Sequence, residues 1–253
     1  MKYLIVGASS GLGRDIATAL AKRNNELVII SRDIKDLEAL KKDLNIRYKV
    51  DIKCFQVDLT NLNQVEIFFE REAKLIRLLD GMLLPIGMMI KDDNFINKDL
   101  RSNDIINANL SLVTYFINKM YPIFKEKNYG TIVGFGSVSG LLGREINSSY
   151  AAAKRGLDSI FESLAITSLT NKINIQYYIL GYLNTNLSEG KKLVLPKGST
   201  EILAEKVINN LDKKHIKIYY PFWWRLISLI ILLTPFFIIK FFSKFKKKLI
   251  NDK

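Results

Sequence analysis

The stretch YLIVGASSGLG, Tyr3 to Gly13, runs from four apolar residues into a turn with three glycines, and a helical pattern from Leu12 to about Lys22 follows. A chain that turns sharply between a strand and a helix needs glycine where backbone must come close to a ligand. The helix start then adds N–H donors and a dipole that favour negative charge. The spacing is Gly-x3-Gly-x-Gly rather than the commoner Gly-x-Gly-x2-Gly, and a plain tight turn also uses such residues. Its place between strand and helix points to a dinucleotide pyrophosphate held by Gly7, Ser9, Ser10, Gly11, Leu12 and Gly13.

Outward from this loop the alternation continues. ELVIIS, IKCFQVD, LDGMLLPIG, GTIVGFGS and INIQYYIL read as strands. Between them lie helical stretches near Ile34–Asp43, after Asn63, from about Asn103 to Lys127, and from Tyr150. Strands that are apolar throughout and alternate with helices predict an α/β fold, a doubly wound parallel sheet covered on both faces, Rossmann-like. With 253 residues and 48% hydrophobic composition the chain is long enough for one large core. The expected organisation is a single nucleotide-binding domain over 1–215 and an apolar, basic C-terminal helical segment over 216–253. A lone cysteine, Cys54, excludes an internal disulfide framework and reads as a buried strand residue.

The second strand ends in Ser31-Arg32-Asp33, the edge that faces the adenosine ribose in a dinucleotide fold. A basic residue there accommodates a 2′-phosphate and an acidic one accepts from the 2′-hydroxyl. Ser31 and Arg32 favour NADP(H) over NAD(H), and Asp33 keeps NAD(H) open. The third strand leads into VDLT, where Asp58 and Leu59 are expected against the adenine.

Tyr150 and Lys154, in SSYAAAK, stand one helical turn apart and so share a face. Tyrosine titrates near pH 10 in water, so a phenol that exchanges protons at neutral pH needs its anion stabilised, and a nearby lysine supplies a cation. On GASSGLG, VDLT, NANL, GFGSVSG and YAAAK, in that order over roughly Lys2 to Leu211, the chain resembles the short-chain dehydrogenase/reductase family. The resemblance implies hydride transfer between a nicotinamide and a carbonyl or alcohol carbon. It places Ser137, thirteen residues before Tyr150, on the substrate oxygen, and Asn109, thirteen before Pro122, on a water relaying protons to Lys154. Thr185, in LGYLNT, is the implied nicotinamide contact. Two places depart from the family pattern: Leu84-Pro85-Ile86-Gly87 stands where Asn-Asn-Ala-Gly is usual, and Leu180-Gly181 where Pro-Gly is usual.

The formal charge of +13 is diffuse until the C-terminus, where FWWRLISLIILLTPFFIIKFFSKFKKK gathers apolar, aromatic and basic residues. The distribution points to an anionic membrane surface, engaged through 222–248, and away from nucleic acid. The uncharged run Leu226–Ile239 is 14 residues long, about 21 Å as a helix, against a hydrocarbon core of about 30 Å. Pro235 lies near its middle, so a kinked segment entering one leaflet fits better than a straight span. The other reading of this run is a helix buried in a dimer or in the body's own core. A lipophilic or lipid-linked small-molecule substrate, the cytoplasmic side of a membrane and a homo-oligomer are the accompanying expectations. The alternative from another class is a membrane-docked nucleotide-binding scaffold or redox sensor without turnover. His215, the only histidine, has no metal-ligand arrangement around it, and no metal is expected.

Overall fold

The computed structural model describes residues 1–90, 93, 101–184, 195–241 and 244. Strands β1 (Lys2–Val6), β2 (Glu26–Ser31), β3 (Ile52–Gln56), β4 (Gly81–Leu84), β5 (Gly130–Ser137), β6 (Ile173–Leu180) and β7 (Ile216–Tyr220) form one sheet. Its order is β3-β2-β1-β4-β5-β6-β7, and every neighbouring pair is parallel.

Successive strand residues point to opposite faces, and here both faces are buried. Leu4, Val6, Val28 and Ile30 pack with side chains of α3 (Leu62–Arg71), α6 (Leu112–Lys127) and α7 (Ser148–Thr167). Tyr3, Ile5, Leu27 and Ile29 pack on the other side with α1 (Gly11–Ala21), α2 (Ile34–Tyr48) and α8 (Thr200–Ile208). This two-sided burial is why the strands read as unbroken apolar runs. The order reverses between β1 and β4, and the crevice beyond their C-terminal ends is where a doubly wound sheet binds its ligand.

Several elements differ from the sequence reading. The single helix expected from Asn103 to Lys127 is three pieces: α5 (Ser102–Ile106), a π-helical turn over Asn107–Ser111, and α6. The pattern of apolar residues hardly changes across such a one-residue offset, so periodicity does not reveal it. The helix begun at Ile34 runs on to Tyr48, where Lys49 in the left-handed region ends it. A short α4 (Ala73–Arg77) precedes β4.

The boundary at 215 is also corrected, because β7 lies beyond it and pairs with β6 from Gln176↔Ile216 to Leu180↔Tyr220. Lys217, inside this strand at the sheet edge, pairs its ammonium with Asp158 at 2.7 Å and Glu162 at 2.8 Å on α7. The body then continues into α9 (Trp224–Leu233), which ends ahead of Pro235, with a further helical stretch from 236. Trp224 is buried, and its indole lies where a side chain on Gly181 would have to go. Among the described residues no helix is long and apolar enough to cross a membrane.

Candidate active site

At the β1 end of the crevice, Gly7 (φ 92°) and Gly11 (φ 51°) adopt the left-handed backbone that favours glycine. Gly13 is needed for a different reason: a Cβ there would drive into the Gly7 carbonyl oxygen, so only glycine lets α1 start this close to β1. Ser10 occupies the N-cap of α1 without a side-chain capping bond, and the first turn carries no acidic residue. The first N–H groups of the helix therefore have neither a cap nor a like-charged competitor for an anion. The Ser31 hydroxyl donates to Ser9 Oγ at 2.9 Å and ties the loop to β2. Leu12 has its side chain in the core, so only its backbone faces the loop.

Beyond β2 and β3 lies a polar cavity of about 420 Å³ lined by Arg32, Gln56, Asp58 and Gln64. Arg32 is exposed and forms no ion pair among the described residues. Asp33 is engaged elsewhere: its Oδ1 accepts from the N–H groups of Lys35 at 3.0 Å and Asp36 at 3.1 Å, capping α2. Asp58 Oδ1 accepts from the Thr60 N–H at 2.9 Å and hydroxyl at 2.8 Å, and the Asp58 N–H donates to Gln64 Oε1 at 2.8 Å. Leu59, just past β3, packs against the core beneath. Gln56 and Gln64 were not picked out in the sequence, since an isolated glutamine at a strand end or in a helix carries no spacing signal.

The other end is built from β5, α7 and the connection leaving β4. Ser137 ends β5, and its Oγ accepts from the Ser139 N–H at 3.1 Å, which leaves its own hydrogen free to donate. Tyr150 lies in the first turn of α7, within hydrogen-bonding reach of Ser137. Lys154, one turn on, is buried with Nζ 5.7 Å from the centre of the Tyr150 ring. Its ammonium donates to the Ile86 carbonyl at 3.0 Å and the Phe135 carbonyl at 3.1 Å. Asn109, fully buried in the π-helical turn, grips the same connection: its amide nitrogen donates to the Met88 carbonyl at 2.7 Å and its oxygen accepts from the Met88 N–H at 3.2 Å. A further bond to the Ile105 carbonyl at 2.9 Å completes its set.

Burial dominates the titration here. It raises the Tyr150 phenol above its usual range, opposed by the hydrogen bond from Ser137 and then by the charge of Arg144. It also lowers Lys154 to about 7. The lowering of Tyr150 by Lys154 expected from sequence is not among these causes, and the same desolvation that raises the phenol weakens the lysine as a cation. Arg144, which also donates to Ser139 Oγ at 2.9 Å, was missed in the sequence, where it looks like an ordinary loop charge. Thr185 lies outside the described residues. Leu84-Pro85 replaces the polar pair of the family pattern where β4 ends, and the Pro85 carbonyl lies across the switch point from Gly7. His215 has a ring nitrogen 3.2 Å from the Ser168 carbonyl, and no group of three potential metal ligands occurs among the described residues.

The sequence profile of the short chain dehydrogenase family matches residues 2–193. The chain belongs to that family. Among curated relatives of this short-chain dehydrogenase is a Podospora anserina protein named very-long-chain 3-oxoacyl-CoA reductase. It is 26% identical over 235 residues, covering 87% of this chain and 67% of that one. A Schizosaccharomyces pombe protein named NADP-dependent 3-hydroxy acid dehydrogenase is 27% identical over 189 residues, covering 73% and 72%. The chain spans about two thirds of the length of several curated relatives, 62% of one from Danio rerio and 74% of one from Escherichia coli. In fold it is similar to a solved short-chain dehydrogenase from Sphingobium yanoikuyae in complex with NADPH. That likeness has a TM-score of 0.78 at 22% identity, covering 100% of this chain and 96% of the other.

The family binds a nicotinamide cofactor, and the residues of this short-chain dehydrogenase fit one. A glycine cradle that a Cβ would fill and an uncapped helix start suit the pyrophosphate, with a polar cavity at the adenosine edge.

Proposed function

We propose that this chain reduces the carbonyl of a lipophilic or lipid-linked substrate with NADPH, and that a 3-oxoacyl thioester is the class that fits best. The observation that carries the activity is the meeting of Ser137, Tyr150 and Lys154 beside the cofactor crevice. Bound NADPH supplies the hydride, and the residues of the chain handle the proton. Ser137, its lone pair engaged by Ser139, donates to the carbonyl oxygen and polarises it. Tyr150 gives its proton to that oxygen as the carbon is reduced, and Lys154 and Ser137 stabilise the phenolate left behind. Because burial raises the phenol, Tyr150 is protonated at neutral pH, the state that reduction requires.

For the cofactor, Arg32 stands free at the ribose edge while Asp33 is occupied in capping α2, a combination that favours a 2′-phosphate. The naming of the S. pombe relative and the NADPH in the S. yanoikuyae structure agree with this preference. For the substrate, an apolar groove of about 790 Å³ runs along α9, lined by Leu195, Pro196, Trp223, Leu226 and Leu229, with Arg225 among its residues. Helix α9 packs against Val138–Leu141, directly after Ser137. The P. anserina relative is named for a very-long-chain 3-oxoacyl-CoA. The outward side chains of α9 and the basic residues after it dock, in this reading, on an anionic membrane surface that supplies the lipid.

The test uses the full chain in detergent, with NADPH consumption followed on acetoacetyl-CoA and on 3-oxopalmitoyl-CoA. Both are expected to be reduced, the longer with the lower KM. Tyr150→Phe should lower kcat by about 100-fold or more while NADPH binding, read by fluorescence, is unchanged. NADPH binding without turnover of either thioester would remove the substrate class. A Tyr150→Phe variant with near wild-type kcat would remove the acid.

A further inference from the structure

The helix that carries Tyr150 has no cap of its own. Asn147, at its N-cap, is in the left-handed region (φ 64°) and makes no side-chain capping bond. The groups left open are met by Asp93, a buried residue between β4 and α5. Its carboxylate accepts from the Tyr150 N–H at 2.9 Å and the Ser149 N–H at 3.2 Å, with the Ser148 hydroxyl at 3.5 Å. Its backbone carbonyl accepts from the Ser148 N–H at 3.1 Å.

From this we infer that Asp93 is a positioning residue for proton transfer, fixing where Tyr150 stands relative to Ser137 and Lys154. The assignment rests on the reading of Tyr150 as the acid. Three points on the connection leaving β4 each hold a different member of the site: Ile86 accepts from Lys154, Met88 is clasped by Asn109, and Asp93 receives the backbone of Tyr150 itself. Phenol and ammonium share α7, so their mutual spacing is set by the helix. Ser137 belongs to β5, and its distance from the phenol depends on where the helix begins. A carboxylate that takes two successive N–H groups fixes that start in height and rotation, and misplacement of a reacting group by about 1 Å can cost about 100-fold in rate. Nothing in the sequence marks this residue. It sits in IKDDN as an ordinary loop acid, 57 positions from the N–H it receives.

The experiment compares Asp93→Ala and Asp93→Asn with wild type in the full chain. Readouts are kcat and KM for acetoacetyl-CoA, NADPH affinity by fluorescence, and folded fraction by circular dichroism, with rates expressed per NADPH-binding site. Asp93→Ala is expected to lower kcat by about tenfold to 100-fold with KM and NADPH affinity within about twofold. Asp93→Asn, which keeps the shape and one acceptor oxygen but loses the second acceptor and the charge, should fall between, with kcat lowered by about threefold to tenfold at unchanged KM. If Asp93→Ala does not fold, Asp93→Asn carries the test, with a fall in kcat at unchanged KM expected. A folded variant whose kcat per site stays within twofold of wild type overturns the assignment, as does a loss appearing only in KM or NADPH affinity. Should Tyr150→Phe retain turnover in the same assay, it is the acid assignment that fails.

Discussion

Lys154 illustrates how burial alone changes the character of a side chain. Held by two carbonyls and shut from water, its ammonium is lowered to about 7 from a usual value of 10.5. Between about pH 7 and pH 10 the unfolded chain binds more protons at this site than the folded one, so its contribution to stability rises with pH through that window. Below about pH 7 the full cost of a buried cation is felt. Thermal melts of wild type and Lys154→Met should show the wild type gaining on the variant from pH 7 to pH 10, and a pH-independent gap would contradict this. Arg32 makes the opposite case, a residue whose charge stays in water until a ligand arrives. Arg32→Ala should weaken NADPH binding by roughly tenfold or more and leave NADH nearly unchanged, since a charge-assisted bond to phosphate contributes about 1.5–3 kcal/mol. Equal losses for both cofactors, measured by titration, would mean that Arg32 does not meet a 2′-phosphate.

At the scale of elements, α9 is amphipathic in the inverse sense of an ordinary surface helix. Its body-facing positions hold Trp224 and Ser228, while Leu226, Leu229, Ile230 and Leu233 are each more than half exposed. Water does not favour such an arrangement, at about 0.8 kcal/mol per methylene left unburied, and a lipid surface does. The full chain is expected to sediment with anionic vesicles, and Leu229→Glu combined with Leu233→Glu should leave it in the supernatant with NADPH binding intact. Loss of NADPH binding with unchanged sedimentation would make α9 a part of the body alone. The glycine loop, the VDLT turn and the Tyr150–Lys154 face were legible in the sequence because each is a short local pattern between elements of clear period. The π-helical turn at Asn109 was not, because its offset leaves apolar spacing almost unchanged. Strand β7 lies beyond the boundary drawn at 215, and the α7 partners of its Lys217 are 55 and 59 residues away.

Taken as a whole molecule, the parallel sheet was readable because two-sided burial writes itself as apolar runs, whereas the closure of the site was not. Asp93 reaches Tyr150, Arg144 approaches the phenol and Trp224 seats against Gly181 only once the chain has folded, and none of these pairs leaves a spacing to be counted. The two outermost strands carry a further implication. Both β3 and β7 are five residues long, and each displays one exposed lysine, Lys53 and Lys217. A short edge strand carrying a charged side chain is poorly suited to take on a second copy's strand alongside. Growth of the sheet from one molecule into the next is thereby discouraged at either end, which guards the fold against fibre-like stacking where many copies crowd together.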